Sequence, residues 1–288
     1  MSKLIMLSGL PCAGKSTYAK GVLETGGNYY RLNRDLLREM FSFGKWSSRN
    51  EGFVIDMEKS LARNILAFDY NVVIDDTNLN PKNREMWSSI AKEMKASFEH
   101  IRVGEGLPVE ELVSRDNVRS KFVGGTVIKN MALEYGLQPV PDKGYVIVDL
   151  DGTIADCEHR RSFVKQTPKD WKGFFDHMGE DTLRKDVAET VIDYYNRMHT
   201  IIYVTGRPDD YKMETLDWLK ENNMSFGWTV IMRRKGDTRP DTEVKQEIYD
   251  RYLKKYPIEV VIDDRPSVVS MWRSNGLKVI DVGNGEDF

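Results

Sequence analysis

An apolar run, LIMLSG (4–9), leads directly into Gly9-Leu-Pro-Cys-Ala-Gly14-Lys15-Ser16 and then into a helical pattern from Lys15 to Glu24. The spacing G-x-x-x-x-G-K-S, with a strand before it and a helix after it, leaves few folds open. Glycines let the backbone curl so that several N–H groups converge on one anion. The helix N-terminus adds the positive end of its dipole. In such a cradle Lys15 reaches the β- and γ-phosphates of a nucleoside triphosphate, and Ser16 holds Mg²⁺. A glycine-rich turn that matches by chance is the bland alternative, and it lacks a reason for the flanking strand and helix.

The same strand-then-helix unit recurs. YYRL (29–32), NVVIDD (71–76) and EHIRV (99–103) read as strands, with a long helix over 50–69 and another starting near Pro81. Two prolines and two glycines in GLQPVPDKG (136–144) then break the alternation. It restarts with YVIVDL (145–150), TIIYVTG (200–206), TVIMR (229–233), EVVIDD (259–264) and KVIDV (278–282), and helical patterns fall at 208–222, 241–255 and 266–275. The fold class expected is therefore α/β in two domains, each a parallel sheet flanked by helices. The expected division is a first domain over 1–138, a linker at 139–144 and a second domain over 145–288. Residues 157–185 hold aromatic and charged residues with no clear strand, and read as an insertion over the second site.

Chemistry-bearing residues gather where apolar runs end, the ligand edge of such sheets. In Leu32-Asn-Arg-Asp35-Leu-Leu-Arg38, Asp35 can take a proton from an attacking hydroxyl, and Arg38, one helical turn on, can grip a phosphate. The pair also reads as a helix cap with a solvated partner. Asp75, Asp76 and Asn78 can position Mg²⁺ waters or the acceptor, or can serve turn chemistry before a helix. Arg115 and Arg119 stand at i and i+4 of an expected helix, as a lid over the γ-phosphate or as a solvated face.

In Val148-Asp149-Leu-Asp151-Gly-Thr153, Asp149 and Asp151 share one face of an extended chain. Asp149 can attack phosphorus to form an aspartyl-phosphate, while Asp151 protonates the leaving oxygen and later activates water. Thr205 and Gly206 can hold the phosphate by hydroxyl and backbone N–H. Lys245, in the segment that also carries Arg239, supplies a cation. Asp263 and Asp264 offer metal carboxylates. Strand-end capping, a solvated helix and a turn explain these residues singly; their order, each after an apolar run, makes one constellation.

The DxD, Thr, Lys and acidic-pair order resembles the haloacid-dehalogenase (HAD) phosphatase superfamily, with its Rossmann-like fold. Set behind a P-loop NTPase kinase fold with NRDxxR and DDTNxNP, it resembles the phage T4-type polynucleotide 5′-kinase/3′-phosphatase family over nearly the full chain. That resemblance implies Asp35 as general base on a 5′-hydroxyl and Arg38 on the acceptor's 3′-phosphate. It implies Lys15, Ser16 and Thr17 on ATP·Mg²⁺, with Arg119 bracing the γ-phosphate. In the second domain it implies Asp149 as nucleophile and Asp151 as acid/base. Thr205 and Lys245 would bind the phosphate with help from Arg207 and Arg239, and Asp263 and Asp264 would serve Mg²⁺; Gly206 is a further candidate at the phosphate, and Asp149 and Asp151 further candidates at the metal. RNA or DNA ends would be the substrate, with a functional link to a nucleic acid ligase. The stretch KFVGGTVIKN after Arg119 departs from the family's pattern, and the 157–185 insertion is longer.

Bulk properties exclude other classes. Net charge is −3, split as +2 over 1–140 and −5 over 141–288, so neither half is a bulk basic nucleic-acid binder. No apolar run is long enough for a membrane span, and the apolar start runs into the phosphate loop, so neither a membrane segment nor a signal peptide is expected. Two unpaired cysteines, Cys12 and Cys157, suit a reducing cytoplasm, that of a host if the chain is phage-encoded. The histidines show no ligand spacing and read as structural or surface residues. A homo-oligomer is compatible with the sequence. The function expected is healing of nucleic-acid ends: ATP-dependent phosphorylation of a 5′-hydroxyl and hydrolysis of a 3′-phosphate. The competing readings are a nucleoside or metabolite kinase fused to a house-cleaning phosphatase, and a non-catalytic NTP-dependent switch.

Overall fold

The computed structural model describes residues 2–45, 47–120, 122–138 and 140–285. The chain forms two compact units, Met1–Met131 and Ala132–Phe288. The division falls within the helix Gly125–Glu134, ahead of the Pro/Gly stretch at 136–144.

The first unit carries strands β1 (Lys3–Ser8), β2 (Tyr29–Leu32), β3 (Asn71–Asp75) and β4 (Ser97–Arg102). They form one parallel sheet in the order β2-β3-β1-β4. Its helices are α1 (Lys15–Glu24), α2 (Arg34–Ser42), α3 (Ser48–Ala67), α4 (Pro81–Glu93) and α5 (Val109–Asn117), with α6 (Gly125–Glu134) running to the second unit. Alternation sorts the sheet residues onto two buried faces. Leu4, Met6, Val72 and Ile74 pack with Trp87 and Ile90 of α4. Ile5, Leu7 and Val73 pack with Ala19 of α1. Helix starts follow local chemistry. The Asn33 side chain caps α2 by accepting from Leu36 N, and Asn80 caps α4, where Pro81 takes the first turn.

The second unit carries β5 (Tyr145–Val148), β6 (Ala155–Asp156), β7 (Thr182–Leu183), β8 (Thr200–Pro208), β9 (Thr229–Arg233), β10 (Ile258–Asp263) and β11 (Val279–Asp281). Five of them form a parallel sheet in the order β11-β10-β5-β8-β9. Around it lie α7 (Ser162–Lys165), α8 (Trp171–Asp176), α9 (Lys185–Asn196), α10 (Lys212–Glu221), α11 (Asp241–Ile248) and α12 (Pro266–Ser274). All four β5 residues are buried, as a central parallel strand requires. Register pairs Val148 with Ile262 on one side and Tyr203 on the other. The residues that follow each strand therefore emerge at one edge.

The expected α/β class and parallel sheets are present, with three local differences. The segment 157–185 contains α7 and α8, and its end pairs as β7 with β6 in a two-stranded antiparallel ribbon. A strand of two residues carries no readable period. The helix expected over 241–255 is α11 followed by a π-helical turn at Tyr249–Leu253. The helix carrying Arg115 ends at Asn117, so Arg119 lies beyond it. Among the described residues no helix is long and apolar enough to cross a membrane.

Trp87 is fully buried between α4 and the sheet. Trp87→Ala should cost about 3–5 kcal/mol of first-unit stability, read by chemical denaturation; a loss below about 1 kcal/mol would contradict this packing.

Candidate active sites

In the first unit the loop after β1 is shaped by backbone geometry. Gly14 caps α1 at φ +96. Gly9 sits at φ +152, and a Cβ there would lie 2.4 Å from the Val103 carbonyl oxygen. Lys15 reaches back into the loop, its Nζ donating to the Gly9 and Leu10 carbonyls at 3.0 and 2.8 Å. Burial lowers its pKa, and Asp75 and Asp76 oppose that effect. Ser16 and Thr17 are exposed on the first turn of α1. The Ser16 hydroxyl accepts from Arg31, which is ion-paired to Asp75.

The ends of β2 and β3 are stitched together, and this aims α2. The Asn33 amide donates to the Asp75 carbonyl, and the Arg34 backbone N–H donates to Asp76 Oδ1 at 2.9 Å. Asn33, not Asp35, is thus the helix cap. The Asp35 carboxylate stands 85% exposed at the start of α2, bonded to Arg38 Nη1 at 2.6 Å. Arg38 in turn forks onto Glu51. Asn78, expected beside the acceptor, is instead buried, its Nδ2 donating to the Leu7 carbonyl at 2.9 Å. It ties the end of β3 to the end of β1. Arg119 and Arg115 both reach the loop: Arg119 Nη1 lies 3.2 Å from Cys12 Sγ, and Arg115 Nη1 donates to the Cys12 carbonyl. Asp116 braces this turn by accepting from the Val123 and Gly124 N–H groups.

In the second unit Lys245, fully buried on α11, lies between strand ends. Its Nζ is 2.9 Å from Asp149 Oδ1 and 2.9 Å from Asp263 Oδ2. Burial alone would lower its pKa; Asp149 and Asp263 outweigh that and raise it. Asp149 is pushed up by burial, against the pull of Lys245 and with Asp263 and Asp264 adding to the rise. Burial and then Asp263 push Asp264 to about 6. Asp149, Asp263 and Asp264 each bring a carboxylate oxygen within 4.8 Å of the others. Asp149, Asp263 and Asp264 present a group of hard oxygen donors, with Lys245 between two of them and Arg265 close by. That donor set fits Mg²⁺.

Gly152 is forced by this packing: its φ is +82, and a Cβ would fall 2.1 Å from Asp264 Oδ2. Thr153 donates to Asp264 Oδ1 at 3.0 Å. Thr205 is fully buried at the end of β8's core stretch, and its hydroxyl accepts from the Arg207 N–H. Gly206 packs against Asp241 so closely that a Cβ would lie 2.5 Å from Oδ1.

Asp151 is not one of the three clustered carboxylates. It is bound by Arg207 and Arg160. Burial opposes its ionisation, but Arg207 and then Arg160 overcome that and hold it well below the usual carboxylate range. Its side chain is thus ion-paired and stands apart from the group expected to hold the metal. Arg239 also departs from expectation: it pairs with Asp237 and Glu247 at the surface. The loop turns it outward, where its own neighbours are the nearest carboxylates.

Several residues of these sites are not among the candidates read from the sequence. Arg160 is fully buried and bridges Asp151 to Asp181; Asp181 also takes Arg207 and His159. Asp241 is paired with Arg233, with Arg265 and Lys245 close by. In the first unit Glu58 of α3 is fully buried against Arg34. Burial and Asp76 push Glu58 to about 9, against the pull of Arg34. Arg160 and Asp181 lie in the stretch read as an insertion, and only a charge inside a buried aromatic segment hinted at them.

The two strand-edge sites lie in a P-loop kinase-like fold first and a HAD-like fold second. Residues 143–288 match the family described as polynucleotide kinase PNKP phosphatase domain, and residues 4–132 match an AAA domain. The chain belongs to the PNKP phosphatase-domain family, in agreement with the resemblance read from its motifs. It is 29% identical over 311 residues, 98% of its length, to a protein of Autographa californica nuclear polyhedrosis virus named as a bifunctional polynucleotide kinase/RNA ligase, of which it covers 42%. It is 34% identical over 132 residues, 44% of its length, to an L-seryl-tRNA(Sec) kinase of Methanococcus maripaludis, of which it covers 50%. The chain thus spans half or less of these relatives. A chain of the Pnkp1/Rnl/Hen1 RNA repair complex is 26% identical, with 99% of this chain and 97% of that one covered, at a TM-score of 0.44.

Glu58 supplies a test by pH. Its folded pKa of about 9 exceeds the ordinary carboxyl value, so the folded state keeps a proton that the unfolded state gives up. Its contribution is fully present below about pH 4.3 and is lost as pH rises toward 9. Glu58→Gln should therefore gain stability relative to the parent between about pH 5 and 9, by up to about 1.4 kcal/mol per pH unit. A parallel pH dependence of the two melting curves would contradict a neutral Glu58.

Proposed function

We propose that this chain heals nucleic-acid ends, phosphorylating a 5′-hydroxyl from ATP and hydrolysing a 3′-phosphate. The observation that carries the reading is the buried Asp149–Lys245–Asp263 cluster at the end of β5, in the half that matches the PNKP phosphatase domain.

In the first unit the loop N–H groups and Lys15 hold the ATP phosphates. Arg119 and Arg115, already at the loop, close over the γ-phosphate. Asp35 takes the proton from the 5′-hydroxyl as its oxygen attacks the γ-phosphorus, and the bond to the β-phosphate oxygen breaks. Arg38 leaves its pairing with Asp35 to hold the acceptor's phosphate, which frees the carboxylate to act. Mg²⁺ at Ser16 would offset phosphate charge here.

In the second unit the Asp149 carboxylate attacks the 3′-phosphorus, and the bond to the 3′-oxygen breaks as that oxygen takes a proton from Asp151. Water, giving its proton to Asp151, then splits the Asp149–phosphate bond. Arg160 and Arg207 hold the resting Asp151 as a carboxylate. An arriving phosphate competes for these guanidiniums and raises the proton affinity of Asp151. Thr205 and the Gly206 N–H orient the phosphate, and Lys245 keeps Asp149 and Asp263 compatible in one buried space. Mg²⁺ held by Asp149, Asp263 and Asp264 would neutralise charge on the phosphoryl group.

The products, a 5′-phosphate and a 3′-hydroxyl, are the ends a nucleic acid ligase requires, and the viral relative's name includes an RNA ligase. Both cysteines are free, which suits a cytoplasmic setting.

Each site is built from residues of its own unit, so the activities should separate. Lys15→Ala should lower 5′-kinase activity on an oligonucleotide by about 10³-fold and leave 3′-phosphatase activity intact, and Asp149→Asn should do the reverse. Label passing from ATP to free nucleosides but to no oligonucleotide would contradict the end-healing reading.

A further inference from the structure

Helix α2 presents more than Asp35 and Arg38 to solvent. Leu36, Met40 and Phe43 follow one another at helical spacing and are 56%, 64% and 88% exposed. Phe43 is the strangest of them. It occupies the residue after α2 at φ 48, a left-handed position where glycine is the usual choice and an aromatic residue is strained. An almost fully exposed phenylalanine in a strained conformation gains nothing from the fold around it. Lys45 and Arg49 follow at once, both exposed and, among the described residues, without an ion pair. Glu51 nearby is taken up by Arg38.

We propose that the Leu36–Met40–Phe43 stripe seats the bases of a single-stranded acceptor just beyond its reacting 5′-hydroxyl, while Lys45 and Arg49 take its phosphates. This rests on the kinase reading given above and names the part of the acceptor that the site grips. Charge and geometry favour this occupant. Free cations beside apolar side chains form the pattern that single-stranded nucleic acid requires: faces for bases to stack on and positive charge along the backbone. Eight residues of helix separate Asp35 from Phe43, about 12 Å along the axis. That length matches about three to four nucleotide steps at about 3.4 Å each. The stripe begins at Leu36, beside the carboxylate that receives the 5′-hydroxyl. An acceptor entering at Asp35 therefore runs along the stripe with Phe43 near its fourth base.

The experiment uses the full chain, γ-labelled ATP and two acceptors: a single-stranded 5′-hydroxyl oligonucleotide of about six nucleotides and a nucleoside 3′-monophosphate. Phe43→Gly removes the ring and relieves the strained backbone, so its melting temperature should equal or exceed the parent's. Its KM for the oligonucleotide should rise about tenfold with kcat little changed, and its KM for the mononucleotide should stay at the parent value. Lys45→Gln with Arg49→Gln should reduce the salt dependence of oligonucleotide binding by about one to two contacts in a log–log plot. An unchanged oligonucleotide KM in Phe43→Gly would overturn the inference while leaving the kinase reading intact. An equal rise for both acceptors would also overturn it, by placing Phe43 in the catalytic pocket. A parent dimer that Phe43→Gly converts to a monomer in sedimentation would overturn it in favour of a second copy on this face. A parent that phosphorylates neither acceptor would overturn the kinase reading itself.

Discussion

A single ammonium group sits where the second unit most needs charge balance. Lys245 is buried between Asp149 and Asp263, with Asp264 beside them. Removing such charges from water is costly, and their mutual attraction offsets that cost only when the geometry is good. Here the geometry follows from the sheet. Register holds β5, β8 and β10 level, so Asp149, Thr205 and Asp263 emerge at one edge, and α11 lays Lys245 across it. Arg265, close by, adds a second cation to a group of carboxylates that also includes Asp241. Burial first, and then the neighbouring carboxylates, push Asp149 and Asp264 upward; in the proposed mechanism a divalent cation and a phosphoryl group relieve that crowding.

Glycines set how closely this can be packed. Gly152 lets Asp264 come against the turn after β5, and Gly283 admits the Asp264 backbone at a point where a Cβ would fall 1.8 Å from its carbonyl oxygen. The first unit uses the same device at Gly9 and Gly14, which curl the loop that Lys15 crosses. In both units a buried parallel strand ends abruptly, small residues open a space, and charged groups from neighbouring elements converge on it. In the proposed function, a ready-made set of donors is thereby held where phosphate charge changes.

The sequence was most legible where chemistry and period coincide. Lys15, Asp149, Thr205, Asp263 and Asp264 each follow an apolar run, so strand and site were readable together. Residues that follow no apolar run are not legible in this way. Arg160 meets Asp151 and Asp181 only after the 157–185 segment folds back through the β6–β7 ribbon, and Glu58 meets Arg34 only once α3 packs on α2. Direction was equally hidden. Arg239 and Lys245 are both cations of one segment, but the loop turns Arg239 to solvent while α11 turns Lys245 inward. Asn78, at the end of a buried strand, reads as a group on the ligand edge; its side chain is turned to the Leu7 carbonyl at the end of β1.

In the proposed phosphatase step the Asp149 carboxylate, rather than water, attacks phosphorus. Stereochemistry tests this most directly. A 3′-phosphate made chiral with oxygen isotopes and sulfur should be hydrolysed with net retention, because two in-line displacements, first by Asp149 and then by water, restore the original hand. Net inversion would show a single displacement by water and would remove Asp149 from the role of nucleophile.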